Sequence, residues 1–165
     1  MRNILILFLA VAVLAFGFAA TAHAAKPVIK ADNTSFDFAQ GMYILKGNVT
    51  VETNNRVITA GEAKVKVLTL EVWGEGGITL KQDDTYFTGD SVYVNGPQNS
   101  ATIKGGVTFK RGGVYITADA ADFNWQTKQG IFRDNVKIDD NGRQIETDWL
   151  SYNVATNTYT MERQQ

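Results

Sequence analysis

The sequence predicts an all-β, repetitive fold built from about five 29-residue units of two strands each, open at both ends. Two short motifs and one alternation predict it. The first motif is Ile116-Thr117-Ala118-Asp119, with close versions at Ile29-Lys30-Ala31-Asp32, Ile58-Thr59-Ala60-Gly61, Phe87-Thr88-Gly89-Asp90 and Ile145-Glu146-Thr147-Asp148. Their first residues fall at 29, 58, 87, 116 and 145, so every step is 29 residues with no insertion or deletion. The second motif keeps the same step: Gly47-Asn48-Val49-Thr50-Val51, Gly76-Gly77-Ile78-Thr79-Leu80, Gly105-Gly106-Val107-Thr108-Phe109 and Asp134-Asn135-Val136-Lys137-Ile138. Self-similarity at such a period marks a stacked architecture.

The alternation fixes the type of element. Counting from Ile29 as offset zero, apolar residues fall at offset seven in every copy: Phe36, Val65, Val94, Phe123 and Tyr152. Thr34, Ala63, Val92, Ala121 and Leu150 stand two before them, and Phe38, Val67, Gly96, Trp125 and Val154 two after. A spacing of two, rich in β-branched and aromatic side chains, predicts strands that bury one face. The Ile-x-Ala pair lies at even offsets and the later apolar residues at odd ones, so the strand must change register between them. Asp or Gly at offset three is where a bulge or bend is expected. The second strand has its own alternation, with Tyr43 and Leu45 leading through Gly47 to Val49 and Val51, and Ala101 and Ile103 through Gly105 to Val107 and Phe109. A Gly-rich kink therefore breaks it. Turns are expected at Ala39-Gln40-Gly41, Asn95-Gly96-Pro97, Thr127-Lys128-Gln129-Gly130, Asn141-Gly142 and Ala155-Thr156-Asn157.

Ahead of the repeats, Arg2, the apolar run Ile4 to Phe18 and the small residues of Ala22-His23-Ala24 have the form of a cleaved secretory leader. Residues 1–24 are the expected signal peptide and 25–165 a single exported domain. The apolar run also approaches the roughly 20 residues needed to span a bilayer, so a retained anchor is the competing reading. Without Arg2 the chain carries 15 basic and 17 acidic residues, a net charge of −2. Such a balance supplies no electrostatic footprint for nucleic acid. With no cysteine, stability must come from burial and sheet hydrogen bonds.

The single histidine is His23, in the leader, so the domain holds neither Cys nor His. General acid–base chemistry most often uses His, and zinc and copper sites lean on His and Cys. No catalytic role, metal or cofactor is expected. Paired carboxylates could in principle cleave glycosides. Asp32, Asp90, Asp119 and Asp148 share their slot with Gly61, however, which favours backbone geometry over proton transfer.

Stacked units place equivalent side chains on one face as an apolar trough. Phe36 and Phe38, Val65 and Val67, Val94, and Phe123 and Trp125 line one strand's share of it. Val49 and Val51, Ile78 and Leu80, Val107 and Phe109, and Val136 and Ile138 line the other's. The same residues would serve a sheet folded on itself as core or one folded over an apolar ligand. Lys46, Lys104 and Arg133 share one slot and could meet phosphates at a rim, although Glu75 and Glu162 occupy it in other copies. The first and last copies carry no polar cap, and unpaired strand edges invite head-to-tail addition of further chains.

The repeated Ile-x-Ala-Asp with its following alternation, together with Gly47-Asn48-Val49-Thr50-Val51, resembles the OstA-like family of lipopolysaccharide transport proteins over about Pro27 to Arg163. The resemblance implies a twisted, V-shaped β-jelly roll whose apolar interior shields lipopolysaccharide acyl chains in the periplasm. It also implies association end to end with itself and with inner- and outer-membrane components of the same fold. An inner-membrane-anchored relative that passes lipid on, and a scaffold repeat protein without lipid, are the alternatives.

Overall fold

The computed structural model describes residues 28–53 and 56–161. The expected leader, residues 1–24, lies outside them. Eleven strands form one antiparallel sheet: β1 (Val28–Lys30), β2 (Asn33–Asp37), β3 (Met42–Thr53), β4 (Arg56–Lys66), β5 (Glu71–Gln82), β6 (Thr85–Asn95), β7 (Ser100–Arg111), β8 (Val114–Asn124), β9 (Gln129–Asp140), β10 (Arg143–Asn153) and β11 (Thr158–Met161). From β3 onward each strand pairs with its sequence neighbours, while β1 and β2 share the two halves of β3. The sheet is open: β1 and β2 form one edge and β11 the other. All-β content and the two-strand repeat are as the alternation predicts.

Every long strand is interrupted near its middle, which gives the sheet a crease. In β3, β5, β7 and β9 two consecutive residues have positive φ: Gly47 and Asn48 (73° and 48°), Gly76 and Gly77 (80° and 84°), Gly105 and Gly106 (76° and 52°), and Asp134 and Asn135 (63° and 51°). Gly reaches this region without strain, and Asn and Asp do so more readily than other residues. Opposite each pair the ladder slips by one residue, for example between Thr117 and Ala120 of β8. That slip lets both Ala118 and Ala121, three residues apart, face the interior.

The offset-three residue was expected to form the bend, and the structure divides the task. The left-handed residues belong to the neighbouring strand, and the aspartate supports them. Asn48 Nδ2 donates to Asp32 Oδ2 at 2.8 Å, and Asn135 Nδ2 donates to Asp119 Oδ2 at 2.6 Å. Where Gly61 replaces the aspartate, backbone meets backbone, and a Cβ on Gly61 would lie 3.0 Å from the Gly76 carbonyl oxygen.

The crease folds the sheet into two arms, each carrying one cross-strand row of inward side chains. One row runs Ile29, Val51, Ile58, Leu80, Phe87, Phe109, Ile116, Ile138, Ile145. The other runs Phe36, Tyr43, Val65, Val72, Val94, Ala101, Phe123, Gly130, Tyr152, Tyr159. Offsets zero and seven of the repeat are therefore the backbone of the two arms. Packing against the facing arm hides each fully buried aliphatic or aromatic side chain, worth about 1.5–3 kcal/mol apiece.

The turns at the second arm's end reuse one device. Asp37 Oδ1 accepts from the amides of Ala39 and Gln40, Asn124 Oδ1 from Gln126 and Thr127, and Asn153 Oδ1 from Ala155 and Thr156. Asn95 does the same for Gln98. Lys66 holds this slot in the second copy and cannot accept. A left-handed residue follows at Gly41, Leu70, Asn99, Lys128 and Asn157, again on the 29-residue step. Leu70 is the costly member, with φ at 57° on a residue that disfavours it. Leu70→Asn is expected to stabilise the protein by about 1 kcal/mol, since an αL conformation costs a bulky residue roughly that much. A rise in the urea midpoint checks this, and an unchanged or lower midpoint would refute it.

Candidate functional site

Between the arms lies a cavity of about 150 Å³, walled almost entirely by apolar side chains. It owes its existence to residue size. Ala60 and Ala63 on β4 and Gly74 on β5 leave the facing arms apart, and Val65, Val72 and Val92 around them are short. Offset 16 reads Leu45, Gly74, Ile103 and Phe132, so its smallest member stands at the hollow. Residues of β8–β10, among them Ala121, Phe123, Gly130 and Tyr152, wall the hollow on one side, and other inward residues form packed core. Val107, Val136 and Ile138 are 1% exposed, and Ile116 and Leu150 fully hidden.

The boundary between hollow and solid is aromatic. Phe87 and Phe109 come from one arm, Phe132 and Tyr152 from the other. Ring centroids are 4.9 Å apart for Phe109 and Tyr152, 5.8 Å for Phe109 and Phe132, and 6.4 Å for Phe87 and Phe132. Gly130 makes room for this block: a Cβ there would sit 3.4 Å from the Phe132 ring. The Tyr152 hydroxyl donates to Asn157 Oδ1, and burial pushes its phenol pKa up, so the group stays neutral in the core.

Polar groups gather where the arms' outer ends meet. Arg111, closing β7, donates from Nη1 to the Val154 carbonyl at 2.6 Å and lies 3.6 Å from Asp84. This ties the first arm to the turn beyond β10. Farther toward β3, Arg56 donates from Nε to Gln82 Oε1 at 2.8 Å, and Gln82 with Thr85 lines the cavity. Burial holds the Arg56 guanidinium below its ordinary value. Burial and the nearby Arg56 do the same to the Lys128 ammonium. Among the described residues no cluster of three His, Cys, Asp or Glu could hold a metal ion.

Of the expected trough residues, Val49, Val51, Val65, Ile78, Leu80, Val94, Phe109 and Phe123 line the cavity. The others do not. Val107, Val136 and Ile138 are packed core, because aromatic rings from both arms separate them from the hollow. Trp125, at the start of the β8–β9 turn, is packed core, and its Nε1 donates across to Asn99 Oδ1 of the β6–β7 turn at 2.9 Å. Val67, at the end of β4, packs half-buried beside the smaller cluster around Leu45. Phe38 is 89% exposed, lying past the end of β2 where alternation no longer sets its side. Phe36 keeps the inward row but stands exposed on an edge strand that no facing element covers, its ring 4.8 Å from that of Tyr43. Lys46, Lys104 and Arg133 are exposed on the outer face, since Leu45, Ile103 and Phe132 beside them point inward. Arg133 pairs there with Asp122. None of the three lines the cavity. Alternation alone missed Ile58, Phe87 and Phe132, although offsets zero and 16 carried the signal.

Repeated hairpins creased over an apolar cleft, with both sheet edges open, define an open antiparallel β-jelly roll. The chain belongs to the OstA-like protein family, which matches residues 46–163. The fold is similar to that of LptH from Pseudomonas aeruginosa, described as "the LptA homologous periplasmic component of the conserved lipopolysaccharide transport device". The likeness has a TM-score of 0.51 at 15% identity and covers 84% of this chain and 95% of that one. No curated protein matches the sequence.

Proposed function

We propose that this protein is a periplasmic lipopolysaccharide-binding transport protein that shields acyl chains between its arms and joins other copies head to tail as a bridge between membranes. The observation that carries the reading is an apolar cavity placed between two arms of an open sheet. A ligand site that is concave, apolar and edged by few polar groups suits hydrocarbon chains. Membership of the OstA-like family and the fold shared with LptH support the same reading. The two open edges, β1 with β2 and β11, suit strand addition between copies or to inner- and outer-membrane partners of the same fold. Transport of this kind moves a ligand without changing it, so the protein is not an enzyme on this reading.

Purified protein lacking residues 1–24 is expected to bind lipopolysaccharide and to lengthen into oligomers as its concentration rises. Light scattering and lipid co-purification read both. A strictly monomeric protein with no lipopolysaccharide bound would overturn the proposal.

A further inference from the structure

The alternation that turns the first arm's apolar row inward does not stop with that row. Two residues nearer the arm's outer end, opposite the crease, the inward positions pass from Ile58 to Arg56, from Leu80 to Gln82, from Phe87 to Thr85 and from Phe109 to Arg111. Arg56 pairs across the ladder with Gln82 and Gln82 with Thr85, so a polar band borders the apolar wall where the cavity opens. Arg56 is the unusual member. It is 8% exposed, the one buried charged side chain among the described residues, and arginine is rarely covered to this degree. Its Nε donates to Gln82 Oε1 at 2.8 Å, which leaves the Gln82 amide nitrogen as a donor at the cavity's edge. The facing arm brings a second cation to the same edge. Val154, a lining residue, donates its amide to the Lys128 carbonyl at 2.9 Å and accepts at its own carbonyl from Arg111 Nη1 at 2.6 Å. Arg111 is met there by Asp84 at 3.6 Å. Lys128 is met by a like charge: burial first, and then Arg56, holds its ammonium below the ordinary value. Two cations brought together from opposite arms in a partly buried setting repel, and an anion bound between them relieves that cost.

We propose that Arg56, Gln82 and Lys128 form an anion site at the mouth of the cavity, which takes the phosphate monoester headgroup of an amphiphile whose hydrocarbon lies between the arms. The proposal rests on the lipid-carrier reading and deepens it by naming the headgroup and the residues that hold it. The guanidinium offers a planar fork of donors to an oxyanion, and the ammonium a compact charge on the other side. Together they present two positive charges, which match the charge of about −1.5 to −2 on a phosphate monoester at neutral pH better than the single charge of a carboxylate. Chain and headgroup are served by neighbouring inward positions of one strand, Leu80 in the apolar row and Gln82 in the polar band.

Calorimetric titration of the purified protein with dodecyl phosphate, 1-O-dodecylglycerol and inorganic phosphate, at low salt and below micelle-forming concentrations, separates headgroup from chain. Dodecyl phosphate is expected to bind about tenfold tighter than dodecylglycerol, with inorganic phosphate bound far more weakly than either. Arg56→Gln and Lys128→Asn are each expected to lower the ratio of the two amphiphile affinities severalfold, in protein whose fold circular dichroism has verified. Asn suits the left-handed backbone of Lys128, with φ at 62°, so this variant keeps the test open if loss of the buried arginine prevents folding. Equal affinity for the two amphiphiles, or a preference for the phosphate that survives substitution in folded protein, would overturn the headgroup site and leave the carrier reading intact. Inorganic phosphate binding as tightly as dodecyl phosphate would assign the cations to a free anion and overturn it as well. Failure of both amphiphiles to bind would remove the carrier reading and this proposal with it.

Discussion

Phe132→Ala is expected to cost about 3–5 kcal/mol of stability, the usual range for removing a large buried ring from a core that cannot collapse around the gap. Phe132 is 2% exposed and meets rings from the opposite arm on two strands, Phe87 and Phe109. Its loss deletes transfer free energy and also the contacts that hold the two arms together, and the neighbouring Gly130 has no side chain to fill the space. The matched control is Leu80→Ala. Leu80 is half-buried and already faces open space, so truncation creates little new cavity and should cost about 1 kcal/mol. Denaturant unfolding of both variants measures the contrast. Equal losses would mean that the interior is packed to the same density throughout, contrary to the hollow described above.

Gly105→Ala is the second change with a large expected effect. Gly105 has φ at 76°, a conformation that costs a residue with a Cβ about 1–2 kcal/mol. Its Cβ would also strike the aspartate across the crease, lying 2.7 Å from Asp90 Cγ and 2.8 Å from Asp90 Cβ. Because the aspartate's own Cβ is involved, rotating the carboxylate does not clear the clash, and overpacking adds about 1–3 kcal/mol. Asp90→Gly in the same molecule should recover the steric part and leave the backbone part, following the Gly61 and Gly76 arrangement that the second repeat already uses. A double-mutant cycle in urea reads this directly. Simple additivity of the two changes would refute the contact.

Much of the fold is legible before any coordinates are known. The 29-residue step, the change of parity after Ile-x-Ala and the Gly-rich interruption each describe bonding between adjacent strands, and adjacent strands in this sheet are neighbours in sequence. Even the turn device at Asp37, Asn95, Asn124 and Asn153 is visible as a repeated slot. The site was legible only in part. Alternation sorts side chains to one face of a strand, which correctly turns Val65 and Leu80 inward. It says nothing at strand ends, where Phe38 parts from the pattern, and it does not say what an inward residue meets.

The sequence by itself determined the all-β repeat, the position of the crease and the two inward rows, because these depend on local geometry with a period of two and on residues that tolerate positive φ. Only the tertiary structure decided which part of the trough is hollow. That depends on which strand of one arm comes to lie over which strand of the other, an offset set by twist accumulated across the whole sheet. Phe109 meets Tyr152, 43 residues further on, and Arg111 meets Val154 at the same separation. Whether an inward side chain touches a ring or empty space follows from that long-range offset.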